Sequence, residues 1–104
     1  MSLILTRRRH CITIAEVYWV RVFLVAVRFG WEPAGTRPPT RHADGWEGGY
    51  VVQMGQVMTP EDARAMADAL GRAAEAGKYG PYEDEPAEWR ELLRLLRDGA
   101  LTIE

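Results

Sequence analysis

Residues 12–33, ITIAEVYWVRVFLVAVRFGWEP, decide how this chain folds. Val17, Val20, Val22, Val25 and Val27, together with Tyr18, Trp19 and Phe23, favour a strand by propensity. As one strand, however, the run from Ile12 to Phe29 would extend roughly 60 Å at ~3.3 Å per residue, against the usual ~17–20 Å. Length therefore predicts a helix from about Ile14 to Phe29. Arg21 and Arg28, seven positions apart, then share one face. Gly30 stands where a helix C-terminal glycine belongs, and Pro33 follows as a stop. Only Glu16, Arg21 and Arg28 interrupt the apolar surface, and a helix apolar almost all round is covered on several sides. Two covers are open at this point: a sheet on one side with the next helix on the other, or a second copy of the chain.

Arg7, Arg8 and Arg9 ahead of this run imitate the charged region of a secretory signal, with the run itself as its apolar region. Glu16 and Arg21 inside the run, and the lack of a small-residue cleavage pattern after it, favour a core element over a leader or a membrane span. Leu3–Thr6 and Ile12–Ile14 read as β structure, so residues 3–13 are expected to form an initial strand or an N-terminal extension.

The whole chain has 104 residues, 47% hydrophobic and 27% charged, which is ordinary for one globular domain and excludes collagen-like sequence, wholesale disorder and a disulfide-built mini-protein. A net charge of −2 argues against a general nucleic-acid binder. The charge divides unevenly, with an arginine excess in residues 1–52 and an acidic excess in residues 53–104, as halves that pack together would show. One cysteine, Cys11, cannot close an internal disulfide, so the expected compartment is the cytoplasm.

Residues 31–49, WEPAGTRPPTRHADGWEGG, carry no periodicity, and a loop of this length inside a compact domain is usually functional or disordered. Trp31 and Trp46 argue against plain disorder. Tyr50–Met58 then reads as a hairpin around Gly55. Thr59-Pro60-Glu61-Asp62 predicts a helix start on three agreeing signals: a threonine N-cap, proline at the first helical position and an acid three residues after the cap. An aspartate there can close a capping box in place of the usual glutamate. Ala63, Met66, Ala67, Leu70 and Ala74 form the buried stripe of this second helix, and Asp68 is placed for a weak ion pair with Arg72. Gly77 ends the helix; Lys78–Tyr82 is a second aromatic loop; Glu83–Pro86 leads into a third helix with Trp89, Leu92, Leu93 and Leu96 inside. Gly99 ends that helix, and Leu101–Ile103 supplies a closing strand.

The order of Phe29-Gly30-Trp31-Glu32-Pro33-Ala34-Gly35-Thr36, Trp46-Glu47-Gly48-Gly49-Tyr50, Gly55-Gln56-Val57, Asp62-Ala63 with Ala67 and Leu70, and Leu96–Ile103 resembles a family of small, uncharacterised bacterial proteins. The resemblance covers roughly residues 19–104 and brings no activity, cofactor or partner with it. Similar sequences carry a polar turn where this chain has Val52-Gln53-Met54, and residues 1–18 look unlike the pattern.

Chemistry-bearing residues are few. His42, Asp44 and Glu47 offer imidazole and carboxylates for acid–base work or metal binding, yet they follow no recognised ligand spacing, and the reading implies neither metal nor cofactor. Cys11 beside His10 lacks a separate base. Gly45, Gly48 and Gly49 match no phosphate-loop pattern and precede a strand, so they supply turn conformations. Arg37, Arg41 and His42 beside Trp31 and Trp46 could take an anion or a single strand of nucleic acid by charge and stacking, or the tryptophans could simply pin the loop to the core. Trp31, Trp46, Tyr50, Tyr79 and Tyr82 with Arg37 and Arg41 have the composition of protein-interface hot spots.

The expectation is one α+β domain, three helices on a small antiparallel sheet made of the Tyr50–Met58 hairpin and the C-terminal strand. Its expected role is non-enzymatic: a small interaction or binding module, dimeric through the first helix or docking another protein, with candidate binding residues Trp31, Arg37, Arg41, His42, Trp46, Tyr50, Tyr79 and Tyr82. The rivals are a small-molecule binder or enzyme using a pocket between the 31–50 and 79–86 loops, and an anion or single-stranded nucleic-acid site. No membrane partner is expected.

Overall fold

The computed structural model describes residues 2–7, 9–35, 50, 56–79 and 87–103. They form β1 (Ser2–Arg7), β2 (His10–Ala15), α1 (Glu16–Arg28), β3 (Gln56–Met58), α2 (Pro60–Glu75), α3 (Ala87–Arg97) and β4 (Leu101–Ile103). The α+β class holds: three helices and a four-stranded antiparallel sheet in the order β2-β1-β4-β3.

The sheet contains the expected pairing of the C-terminal strand with Gln56–Met58 and adds two strands that the sequence reading does not place in it. Its first half is an N-terminal hairpin: β1 and β2 pair along their whole length from Ser2 opposite Ala15 to Arg7 opposite His10. What reads as a single initial strand is thus two, and β1 lies inside the sheet between β2 and β4. Sequence reasoning misses the reversal because no Gly, Asn or Asp marks it, only arginines. Of the expected Tyr50–Met58 hairpin, residues 51–55 lie outside the described residues; Gln56–Met58 pairs with β4.

Alternation along the strands sets two faces. Leu5, Ile14, Met58, Leu101 and Ile103 point into the core, whereas Ile4, Cys11, Thr13 and Val57 face outward. Among the described residues the helices pack on the first face, and α2 lies against both α1 and α3. α2 buries Ala63, Met66, Ala67, Ala69, Leu70 and Ala73, and its alanines allow close approach of both neighbours. α3 contributes Trp89, Leu92, Leu93, Leu95 and Leu96.

Helix ends follow the sequence signals except at the start of α1, expected at about Ile14. α1 begins at Glu16, because Ile14 and Ala15 complete β2, and it stops at Arg28. Gly30 has φ +101°; its N–H donates to Val27 O at 3.1 Å, while Trp31 N–H donates to Ala26 O at 2.9 Å. Those two bonds make a Schellman stop, with the buried Trp31 and Ala26 in the accompanying apolar positions. Arg72 does not pair with Asp68. Its Nε and Nη2 donate to Phe29 O at 3.1 and 2.8 Å instead, where the carbonyl end of α1 presents an unfilled, partly negative acceptor that suits a guanidinium fork.

Gly99, after α3, has φ +116°, and a Cβ there would meet Arg7 Nη1 at 2.9 Å, Arg64 Nη2 at 3.4 Å and Pro60 Cβ at 3.5 Å. The arginine tips can swing away; the backbone strain cannot. Gly99→Ala is expected to cost about 1–3 kcal/mol. Gly71→Ala, inside α2 with Arg97 Nη2 at an ordinary 3.7 Å, is expected to gain about 0.5–1 kcal/mol. Urea unfolding of both variants checks the opposite signs, and two losses of similar size would refute the assignment.

Candidate functional site

Two features compete for function: a buried polar cluster at the start of α2 and an apolar stripe on the outside of α1. The first begins with Thr59, whose Oγ1 accepts from Asp62 N–H at 3.2 Å ahead of Pro60 at the first helical position. The aspartate does not close the expected capping box. A hydroxyl stands between the two partners: Thr59 N–H donates to Tyr50 Oη at 3.3 Å, and Tyr50 O–H donates to Asp62 Oδ2 at 2.8 Å. A phenol can accept and donate at once, so it bridges a gap that the short aspartate side chain leaves.

Asp62 also gathers the segment after α1. Ala34 N–H donates to Oδ1 at 3.0 Å, Gly35 N–H donates to Oδ2 at 2.9 Å, and Trp31 Nε1–H donates to the Asp62 carbonyl at 3.0 Å. Tyr50 is held from its other end, since Trp19 Nε1–H donates to its carbonyl at 2.7 Å. These bonds fix Tyr50 at φ +71°, a left-handed conformation that a tyrosine adopts only at a cost. Phe23 meets the Trp31 ring edge-on at a centroid distance of 5.0 Å, and Tyr50 stacks near Trp31 at 6.4 Å.

At 6% exposure and with three donors on its carboxylate among the described residues, Asp62 is an anchor, its charge matched by hydrogen bonds and by the α2 N-terminus. Burial, and then the hydrogen bond to the Asp62 carboxylate, push the Tyr50 phenol above its ordinary value of 10.0. Tyr50 therefore holds its proton at neutral pH and serves as a donor. The cluster ties the chain together and offers no free base to a substrate.

Of the eight residues singled out from sequence, the cluster brings together Trp31 and Tyr50. Both are buried, so their rings are used inside the molecule and not at a surface. Tyr79 is half-buried, edge-on to Trp89 at 5.6 Å. Arg37, Arg41, His42, Trp46 and Tyr82 lie outside the described residues, as do Asp44 and Glu47. Sequence marks Asp62 only as a helix-start residue; its wider role has no local signal, because the groups its carboxylate binds are 12, 27 and 28 positions away.

A shallow groove of about 280 Å³ between β2 and α3 is lined by His10, Cys11, Ile12, Glu91, Arg94, Leu95 and Asp98. Among the described residues, no three His, Cys, Asp or Glu side chains gather closely enough to hold a metal ion. His10 and Cys11 are successive strand residues and exposed.

The second feature is on α1. Trp19, Val22 and Ala26 form its buried stripe. On the far side Val17 and Leu24 are each 59% exposed and Val27 45%, with Val20 half-buried among them. An amphipathic surface helix would carry charge there; this one carries valine and leucine. No helix among the described residues is long and apolar enough to cross a membrane. Compared with protein-family models, with curated proteins and with solved structures, the chain finds no match in any of the three.

Proposed function

We propose that this chain is a small non-enzymatic protein-interaction module whose docking surface is the outward face of α1. The observation that carries the reading is the exposed Val17, Leu24 and Val27, with half-buried Val20 among them, on a helix whose other face is already used in the core. Contiguous exposed apolar surface is costly in water and marks a place where another surface sits. The Asp62–Tyr50–Trp31 cluster supports the same reading from inside. It locks the C-terminal end of α1 to α2, so the helix is presented as a rigid element that loses little freedom on binding. A cytoplasmic setting agrees with the exposed free thiol of Cys11.

A photo-crosslinking amino acid in place of Leu24 tests the proposal in cells expressing the chain. An adduct of discrete mass is expected at Leu24 and at Val17, and none at Asp68, which is exposed on α2. No adduct at either α1 position would overturn the proposal.

A further inference from the structure

We infer that the occupant of the α1 face is a second copy of this chain, its α1 lying parallel to the first. The inference rests on the reading of α1 as a docking surface and adds the identity and direction of the partner.

Spacing comes first. Val17, Val20, Leu24 and Val27 follow one another by three, four and three residues, which is the a, d, a, d pattern of a coiled-coil seam over two heptads. A straight helix drifts only ~20° per heptad from such a repeat, so two heptads stay on one face without supercoiling. The buried stripe Trp19, Val22 and Ala26 lies on the other side of the helix, so each domain body stands away from the seam.

Charge then selects the partner. With Val17 at a, Glu16 and Phe23 take the g positions and Arg21 and Arg28 take e. In a parallel pair, a g residue meets the e residue five positions further along the other helix. Glu16 therefore faces the second copy's Arg21, and two-fold symmetry makes the contact twice. Phe23 faces the second copy's Arg28, whose guanidinium can lie on the ring. Among the described residues, neither Glu16, Arg21 nor Arg28 makes an ion pair within its own chain, so all three are available. In an antiparallel pair e faces e, and four arginines would share one flank with no acid between them. The pattern is complementary to itself in one direction only.

A groove is already in place for the first contact. Ala15, Glu16, Val17 and Val20 line an open hollow of about 410 Å³. Glu16, Val17 and Val20 are the g, a and d residues that enclose a partner's a side chain in knobs-into-holes packing, and Ala15 closes the end where β2 runs into α1. The second copy's Val17 fits there.

Light scattering on a size-exclusion column at about 100 μM chain is expected to give twice the 11.8 kDa chain mass. Leu24→Glu should weaken the dimer by about 100-fold or more by burying an unpaired charge, with the circular dichroism spectrum retained because Leu24 is exposed in the single chain. Glu16→Arg and Arg21→Glu, measured separately, should each weaken it about tenfold, and the double variant should recover the loss. A dimer strengthened by Arg21→Glu alone, as an antiparallel pair with Arg21 facing the second copy's Arg28 requires, would overturn the parallel arrangement. A monomer whose Leu24 crosslinks to a different protein would overturn the self-partner and leave the interaction reading standing; a monomer with no Leu24 adduct would overturn both.

Discussion

Asp62→Ala is expected to lower the unfolding free energy by about 3 kcal/mol or more, a large part of the ~5–15 kcal/mol of a domain this size. Three described groups donate to the carboxylate, and they do not lose equally. Ala34 and Gly35 N–H are part-buried and can turn to water, whereas the fully buried Tyr50 hydroxyl cannot. Removing the carboxylate strands that phenol, and with it the relay to Thr59 N–H. Asp62→Asn should recover only part of the loss, because its amide –NH₂ must then face a backbone N–H or the phenol proton. Urea unfolding at neutral pH measures both; an Asp62→Ala loss under about 1 kcal/mol would remove this cluster as the main tie between the 31–35 segment and α2.

The same cluster gives a pH signature. The Tyr50 phenol has its folded pKa raised above the unfolded value, so the native state holds that proton more tightly. Its contribution to stability is fully present below the unfolded value and is lost as pH rises from there through the folded one. Stability of the natural chain should therefore fall above about pH 10, and Tyr50→Phe should show a shallower alkaline decline from a lower neutral starting point.

Trp31→Ala is expected to cost about 3–5 kcal/mol, the range for removing a buried large aromatic. At 2% exposure Trp31 is the apolar residue of the Schellman stop, the edge-on partner of Phe23 and the indole donor to the Asp62 carbonyl. Trp31→Phe keeps much of the packing and loses the donor, so about 1–2 kcal/mol is expected. Combining Trp31→Ala with Asp62→Ala should cost less than the two single losses together, since either change already frees the 31–35 segment. Full additivity would mean that the two residues act on separate parts of the fold.

Short-range chemistry makes several elements legible in the sequence. The Thr59-Pro60-Glu61-Asp62 start of α2 is written in four adjacent residues, and the structure shows the cap it implies. Length alone turns a valine-rich run into α1 against its strand propensity. The stops at Gly30 and Gly99 are equally local, because a left-handed turn after a helix excludes most other residues. The N-terminal hairpin is not legible: its reversal between β1 and β2 carries no turn residue, and pairing with β4 joins residues nearly a whole chain apart.

The candidate site divides along the same line. The apolar character of α1 and its charges at 16, 21 and 28 are properties of the sequence by itself, as are the α+β class and the helix ends, because each is encoded within one or two turns of chain. Which stripe of α1 is left in water is decided only by the tertiary structure, once α2 and the sheet have covered Trp19, Val22 and Ala26. Tertiary structure likewise turns Trp31 and Tyr50 from apparent surface aromatics into core, and takes Arg72 from Asp68 to the end of α1. The physical reason is common to all three. Burial and hydrogen-bond partners belong to pairs of groups brought together across the chain, and no window of neighbouring residues contains both members of the pair.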